Sequence, residues 1–492
     1  MIDQSRRAVL LGGLACAALA RGETPASSVS QSDDLRQWLA ARAIPLRTID
    51  PEADDLSDLE PLIHAIGDAR IVQLGEPSHG AGSSFAAKVR LIKFLHQRMG
   101  FDVVAWESGF YDLRQVQASL RSGADPVAAA QQGILRIWSV SRECRPLFTY
   151  AQTTLAGSRP LEMAGFDIQF TAEGSAERFA ADLRAVARLS PALRRLAVRP
   201  AEQAIAAFDR LDAYSRARAR KFAQLSQAGI SGEARTEAMA SWESEEGGAL
   251  RSSRSDLIQL ERAVQELRTV IRANRRALDR AVGGHGASFL DRALDNLAGF
   301  GANLHDRHGA DRPARTSGPS VASENRRDAL NAENLRWLME EGYSGRKIVV
   351  WAHNAHVMNA YYGPGWDSVS LAPRPGWMKP TGVFLAERLG SAVYTIGITT
   401  FSGEDGFAAP MPATPIPAAS STSLEARLHG LGMPFAFLDL RSLRGTPDHP
   451  LRPPLSMRLP KYEEEMIPDL TIPYDGIVFI DRMARATRIA DA

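Results

Sequence analysis

The stretch Arg70-Ile-Val-Gln-Leu-Gly-Glu-Pro-Ser-His-Gly80 constrains this chain more than any other. A short apolar run, Ile71 to Leu74, stops at Gly75, and Glu76 and His79 follow within one turn. Apolar residues then return at helical spacing from Val89 to Met99. Strand, polar turn and helix in that order put a carboxylate and an imidazole at the carboxyl end of a strand. In open α/β sheets, ligands bind in the crevice outside those ends. Three later runs finish the same way. Val103 to Trp106 ends in Glu107, Leu161 to Phe166 ends in Asp167, and Ile348 to Ala352 ends in His353 and His356. If these strands are neighbours in one parallel sheet, the histidines and the three acids share one cleft.

The rest of the chain reads as what builds that sheet. Asp34 is placed as the cap of an amphipathic helix, after a linker from Glu23. The spacing predicts a helix over 84–99, a stop at Gly100 and a strand over 102–106, a βαβ unit that forces parallel pairing. Residues 174–325 carry almost no β-type run and many Ala, Arg, Glu and Leu at helical intervals. The charge clusters Arg216 to Lys221 and Glu243 to Glu246 within them read as solvated helix faces. A strand over 347–352, a structured loop over 361–380, a strand over 392–399 and strands near 434–440 and 476–480 complete the pattern. The expected fold is therefore α/β, a mostly parallel central sheet flanked by helices, with a large inserted all-helical subdomain. Its parts are a signal and linker (1–30), a first core part (31–173), the helical insertion (174–325) and a second core part (326–492).

Charge narrows the function. With 58 basic and 57 acidic residues, the net charge of +1 gives no electrostatic footing for nucleic acid or an anionic membrane. A small, weakly charged substrate fits better. At the start, Ser5-Arg6-Arg7 precedes the apolar stretch Ala8 to Ala20, the pattern of a cleaved secretory signal. The paired arginines point to twin-arginine export, hence to the periplasm. Cys16 lies in the apolar region but its flanks fit a lipoprotein box poorly, and without the signal only Cys144 remains, so no internal disulfide is expected.

Among the candidate residues, His79 can take a proton from water near neutral pH, and Glu76 or Glu107 can orient its ring and stabilise its cation. Glu107 follows four apolar residues, so it needs a partner, with Lys88 or Arg90 as structural candidates. His353 and His356 form an H-x-x-H pair. On one reading they polarise a carbonyl or protonate a leaving oxygen. On another they bind zinc or iron with Glu76 or Glu107, or a metal or haem together with Glu107. The spacing recurs at His305 and His308, where a surface position is expected. Ser78 stands where a nucleophile elbow would put its serine, but Glu76 occupies the first glycine position of G-x-S-x-G. Asp167, Ser78 and Asn354 are placed as substrate contacts. The chain has no P-loop and no dinucleotide fingerprint, so no cofactor is expected.

Taken together, Gly75-Glu-Pro-Ser-His-Gly80, Gly100-Phe-Asp-Val-Val-Ala-Trp-Glu107, Gly165-Phe-Asp-Ile-Gln169, Trp351-Ala-His-Asn-Ala-His356 and Tyr474-Asp-Gly-Ile-Val-Phe-Ile-Asp481 resemble the erythromycin esterase family, from about residue 35 to 482. The resemblance implies an α/β core with a helical insertion and hydrolysis of a macrolactone ester without metal or covalent intermediate. It matches His79 to the general base and Glu76, Glu107, His353 and His356 to its companions. The chain departs from the family pattern at Ser83-Ser84, where an acidic residue commonly follows the Glu-x-x-His-Gly block. The expected partner is thus a small ester or lactone, a macrolide being one candidate.

Overall fold

The computed structural model describes residues 27–489 except 231, 283–284, 311–319, 364–367, 409–411 and 447. The expected signal, its arginine pair and Cys16 lie outside the described residues. Nine strands form one mixed sheet: β1 (Ile44–Pro45), β2 (Ile71–Leu74), β3 (Phe101–Gly109), β4 (Glu162–Asp167), β5 (Lys347–Trp351), β6 (Val393–Asp405), β7 (Thr414–Ile416), β8 (Phe435–Asp439) and β9 (Gly476–Met483). Their order is β1-β8-β9-β6-β2-β5-β3-β4, with β7 paired to β6. From β9 to β4 every neighbouring pair is parallel, while β8 and β1 form an antiparallel margin.

The strand sequences explain this sheet. Ile71 and Ile348 face one side, and Val72, Leu74, Val349 and Trp351 face the other, all fully buried. Unbroken apolar runs of this kind belong to parallel strands covered on both faces. One face packs on the helix Gly82–Met99 through Phe85, Val89 and Ile92. The other face belongs to the same apolar cluster as Leu257, Leu260, Leu294 and Leu297 of the long helices. Those helices, Ser175–Ala187, Pro191–Gln227, Gly232–Glu245, Arg254–Ala273, Arg275–Val282 and Gly286–His308, run in succession between β4 and the helix Val321–Trp337. The sequence supplies their ends. Ser190 caps one with Pro191 at its first position, and Ser253 and Asp256 form a capping box on another.

Three details differ from the sequence reading. The first helix already runs from Ser27 to Arg42, so Asp34 is in its interior and the linker is shorter than expected. Strand β3 continues to Gly109, which places Glu107 within the strand rather than after it. His305 is 5% exposed, not at the surface, because its helix packs inward at that turn. Among the described residues no helix is long and apolar enough to cross a membrane.

Topology positions the site. The chain leaves β2, skips one place to β3, moves outward to β4, and returns after the helices to insert β5 between β2 and β3. Strands β2, β5, β3 and β4 are therefore adjacent and parallel, and their carboxyl ends lie side by side. Gly75 is required at the end of β2, since a Cβ there would collide with the Asn354 side chain.

Candidate active site

The turn after β2 is built on buried charge. Glu76 is fully buried; one carboxylate oxygen lies 3.2 Å from His79 Nδ1 and the other accepts from Lys88 Nζ. Lys88 also donates to the Ala352 carbonyl at 3.1 Å and sits 4.2 Å above the Trp351 ring. Burial pulls the Lys88 ammonium below its usual pKa, against the attraction of Glu76. The His79 ring meets the edge of Trp138 at 5.4 Å and the His353 ring at 5.0 Å. Its side chain is 33% exposed, whereas those of Glu76, Glu107 and His356 are 12% exposed or less.

A second cluster centres on Arg327, from the helix Val321–Trp337. Its guanidinium donates to Glu107 Oε1 at 3.0 Å and to both oxygens of Asp167. Glu107 Oε2 accepts from the His353 backbone N–H at 2.9 Å. His356 lies between carboxylates, with Nδ1 2.8 Å from Asp328 Oδ1 and Nε2 3.4 Å from Glu107 Oε1. Asp328 also accepts from the Thr381 hydroxyl at 2.6 Å. Burial pushes the Glu107 carboxyl up, but the charges of His356 and Arg327 outweigh it and hold it well below the usual range. Burial likewise opposes the His356 cation, yet Asp328 and Glu107 raise its pKa to about 9. The Arg327 guanidinium, whose Nη1 lies 3.2 Å from His356 Nε2, opposes that rise. For His353, burial and the neighbouring His79 push the pKa well below its ordinary value, so that ring is neutral.

The four strand ends therefore converge: His79 with Glu76, His353 with His356, Glu107 and Asp167 meet through a continuous chain of contacts. Individual positions differ from expectation. Glu107 pairs with Arg327, while Lys88 serves Glu76 and Arg90 serves Asp58 at 2.6 Å. Asp167 is 1% exposed and committed to Arg327. Asn354 is 2% exposed, and its amide bonds the β6 backbone at Ile398, at 2.9 and 3.3 Å. Neither has free surface for a ligand. Ser78 is partly exposed and donates to Asp405 Oδ2 at 2.8 Å.

Arg327 and Asp328 escaped the sequence reading, although a signal exists. Arg327, Asn331 and Asn334 recur at helical spacing on an otherwise core-facing helix; Asn334 bonds the β4 backbone at Phe166 (2.7 Å) and Asn331 the residue just after β4, Ile168 (3.1 Å). A polar stripe on a buried helix face needs polar partners.

The donor set does not suit a metal. His353 Nε2 is bonded to the Pro77 carbonyl at 3.0 Å and its Nδ1 accepts from Ala355 N at 3.2 Å. His356 Nδ1 faces Asp328 and its Nε2 lies between Arg327 Nη1 at 3.2 Å and Glu107, while Glu107 uses one oxygen on Arg327 and the other on His353 N. Among the described residues no group of three or more His, Cys, Asp and Glu is arranged to hold an ion.

A mostly parallel sheet carrying paired carboxylates and imidazoles at adjacent carboxyl ends defines an α/β protein with an acid–base cluster. The sequence profile of the erythromycin esterases matches residues 96–483, and the chain belongs to that family of hydrolases. It is 24% identical over 479 residues to "Putative hydrolase YbfO" of Bacillus subtilis (strain 168), spanning 96% of each chain. A shorter match, 36% over 74 residues, covers 15% of this chain and 17% of the type II erythromycin esterase of Escherichia coli. Among solved structures, a Bacillus cereus protein aligns with a TM-score of 0.64 at 20% identity, covering 93% of this chain and 99% of that one. A mutant of the erythromycin esterase EreC in its open conformation aligns with a TM-score of 0.57 at 16% identity, covering 92% and 99%.

Proposed function

We propose that the protein hydrolyses a carboxylic ester, with a macrolide macrolactone as one candidate substrate, by general-base activation of water at His79. The observation that carries this reading is the asymmetry around His79. Its Nδ1 is backed by the buried Glu76 carboxylate at 3.2 Å, and its side chain is the more exposed member of the pair, 33% against 0%. Glu76 favours the tautomer with its proton on Nδ1, leaving Nε2 as the base. Water deprotonated there attacks the ester carbonyl, and the imidazolium formed is stabilised by Glu76. His356, with Nδ1 on Asp328 and Nε2 between Glu107 and Arg327, holds the Glu107 carboxylate in place beside the site. His353, neutral and bonded through both nitrogens, fixes the Pro77 turn and so the position of His79. Water adds to the carbonyl carbon, the C–O bond breaks, the proton taken by His79 passes to the departing alkoxide, and acid and alcohol leave.

The chain's export through a twin-arginine signal to the periplasm is part of the same proposal, supported by Ser5-Arg6-Arg7 and the apolar stretch after it. The alternative with Ser78 as nucleophile is weakened by its partner, because its hydroxyl donates to Asp405 and not to an imidazole. The test is a hydrolysis screen of macrolides, simple esters and lactones with the native chain and His79→Ala. The variant should keep its far-UV spectrum and lose about a hundredfold to ten-thousandfold in turnover. Retained hydrolysis in a folded variant removes His79 as the base.

A further inference from the structure

The turn from Glu76 to Gly80 that carries His79 is neither helix nor strand, so outside contacts set its shape. On its inner side Glu76 meets Lys88, and the Pro77 carbonyl meets His353 Nε2 at 3.0 Å. Its outer side rests on the end of β6. That strand runs on beyond its pairing with β2, which stops at Leu74 and Ile396, and finishes at Asp405. Asp405 Oδ2 accepts from the Ser78 hydroxyl at 2.8 Å, and a Cβ on Gly80 would lie 2.7 Å from Asp405 Oδ1. The carboxylate therefore lies against the residues on both sides of His79. Backbone closes the same seam, since Gly406 N and Ala486 N both donate to the Gly80 carbonyl, at 3.3 and 2.8 Å.

A second segment steadies Asp405 in turn. Met457–Arg458 pairs antiparallel with Glu464–Glu465, and the loop between them reaches the His79 turn. At its tip Lys461 N donates to the Pro77 carbonyl at 2.8 Å, and the Tyr462 hydroxyl lies 3.4 Å from Asp405 Oδ1. Burial and the Asp405 charge push that hydroxyl far above its usual pKa, which keeps it a donor. Lys461 and Tyr462 both have left-handed backbones, with φ of 61° and 65°. Residues with side chains rarely hold that conformation. Where they do, the surroundings enforce it, often beside functional sites. The base of the loop is fastened as well: Arg458 N donates to the buried Glu425 at 3.0 Å, and Glu464 accepts from the Ser456 hydroxyl at 2.8 Å.

We propose that Asp405, steadied by Tyr462, is a positioning residue that braces His79 through Ser78 and Gly80. The proposal rests on His79 being the general base, for which a misplacement of about 1 Å can cost about a hundredfold in rate. Steady-state hydrolysis of 4-nitrophenyl acetate by the full chain, and amide exchange across residues 76–81 read by mass spectrometry, test it. Asp405→Ala should lower kcat about tenfold to a hundredfold and move KM less than about twofold. The same variant should speed exchange in the turn about three- to tenfold. Asp405→Asn, whose amide oxygen still accepts from Ser78, should keep most of the native rate and exchange. Adding Ser78→Ala to Asp405→Ala should cost nothing further, because both act through one contact. Should Asp405→Ala fail to fold, Tyr462→Phe carries the test, with a loss of about two- to tenfold in kcat. Unchanged exchange in the turn, an unchanged kcat, or Asp405→Asn as impaired as Asp405→Ala would each overturn the brace. Where the native chain leaves that ester intact, exchange decides alone. Hydrolysis retained by His79→Ala strikes the base instead and leaves the exchange result standing.

Discussion

The chain carries the spacing H-x-x-H twice, and the two copies behave in opposite ways. His353 and His356 follow β5, with His353 capping the short helix Asn354–Val357. His305 and His308 occupy the last turn of the long helix Gly286–His308. His356 is lodged between Asp328 and Glu107, and its pKa rises to about 9. His308 is half-buried beside the Tyr214 ring at 4.8 Å, and burial together with Arg307, Arg218 and Arg251 lowers its pKa to about 4. The motif is identical, but the surrounding charges decide whether its second histidine is a cation or a neutral ring. Spacing alone therefore says nothing of chemistry until the neighbours are known.

The comparison can be broken most severely at Arg327. Arg327→Met should strip Asp167 and Glu107 of their shared cation and leave buried carboxylates unpaired, costing about 3–5 kcal/mol in urea unfolding. A cost within the range of a surface substitution would mean that the charges near His356 are not held as described.

The next effect is pH dependence. Because the folded pKa of His356 lies above the unfolded value of about 6.5, its contribution is fully present below about pH 6.5 and lost as pH rises through about 9. The linkage amounts to at most about 3 kcal/mol. Asp328→Asn should shrink that alkaline loss, as followed by thermal unfolding from pH 6 to pH 10 on the native chain and the variant. An unchanged profile would take the elevated imidazolium out of the account.

His308 predicts the mirror image, and a smaller one. Its folded pKa lies below the unfolded value, so stability is present above about pH 6.5 and lost as pH falls toward about 4. His308→Phe should therefore reduce acid sensitivity between pH 6.5 and 4 and leave the alkaline limb alone. The ring is partly exposed, so solvent screening keeps the effect small. The smallest expected change is Ser78→Ala, which should lose no more than about tenfold in hydrolysis, with the native chain resisting a fluorophosphonate. Covalent labelling at Ser78 would instead favour the serine mechanism.

Much of the α/β half was legible because its signals are local. The runs Ile71 to Leu74, Val103 to Trp106 and Ile348 to Trp351 are apolar throughout, as buried parallel strands must be. Their polar ends follow from the same logic, and β2, β5, β3 and β4 are adjacent as the sequence reading required. The partners of the buried acids were not legible. Glu107 and Arg327 are 220 residues apart, and no spacing rule relates them. The sequence makes Lys88 a candidate partner for Glu107, but its helix aims it at Glu76. The buried position of His305 was hidden for a similar reason, since helical periodicity gives a face without saying what packs on it.

The sequence by itself determined where strands stop and which acids and imidazoles stand at their ends, because hydrophobic runs and turn residues act over a few positions. Only the tertiary structure decided the protonation of those groups. Electrostatic energy depends on distance and burial, and both are set when β5 inserts between β2 and β3 and the helix bearing Arg327 closes over their ends.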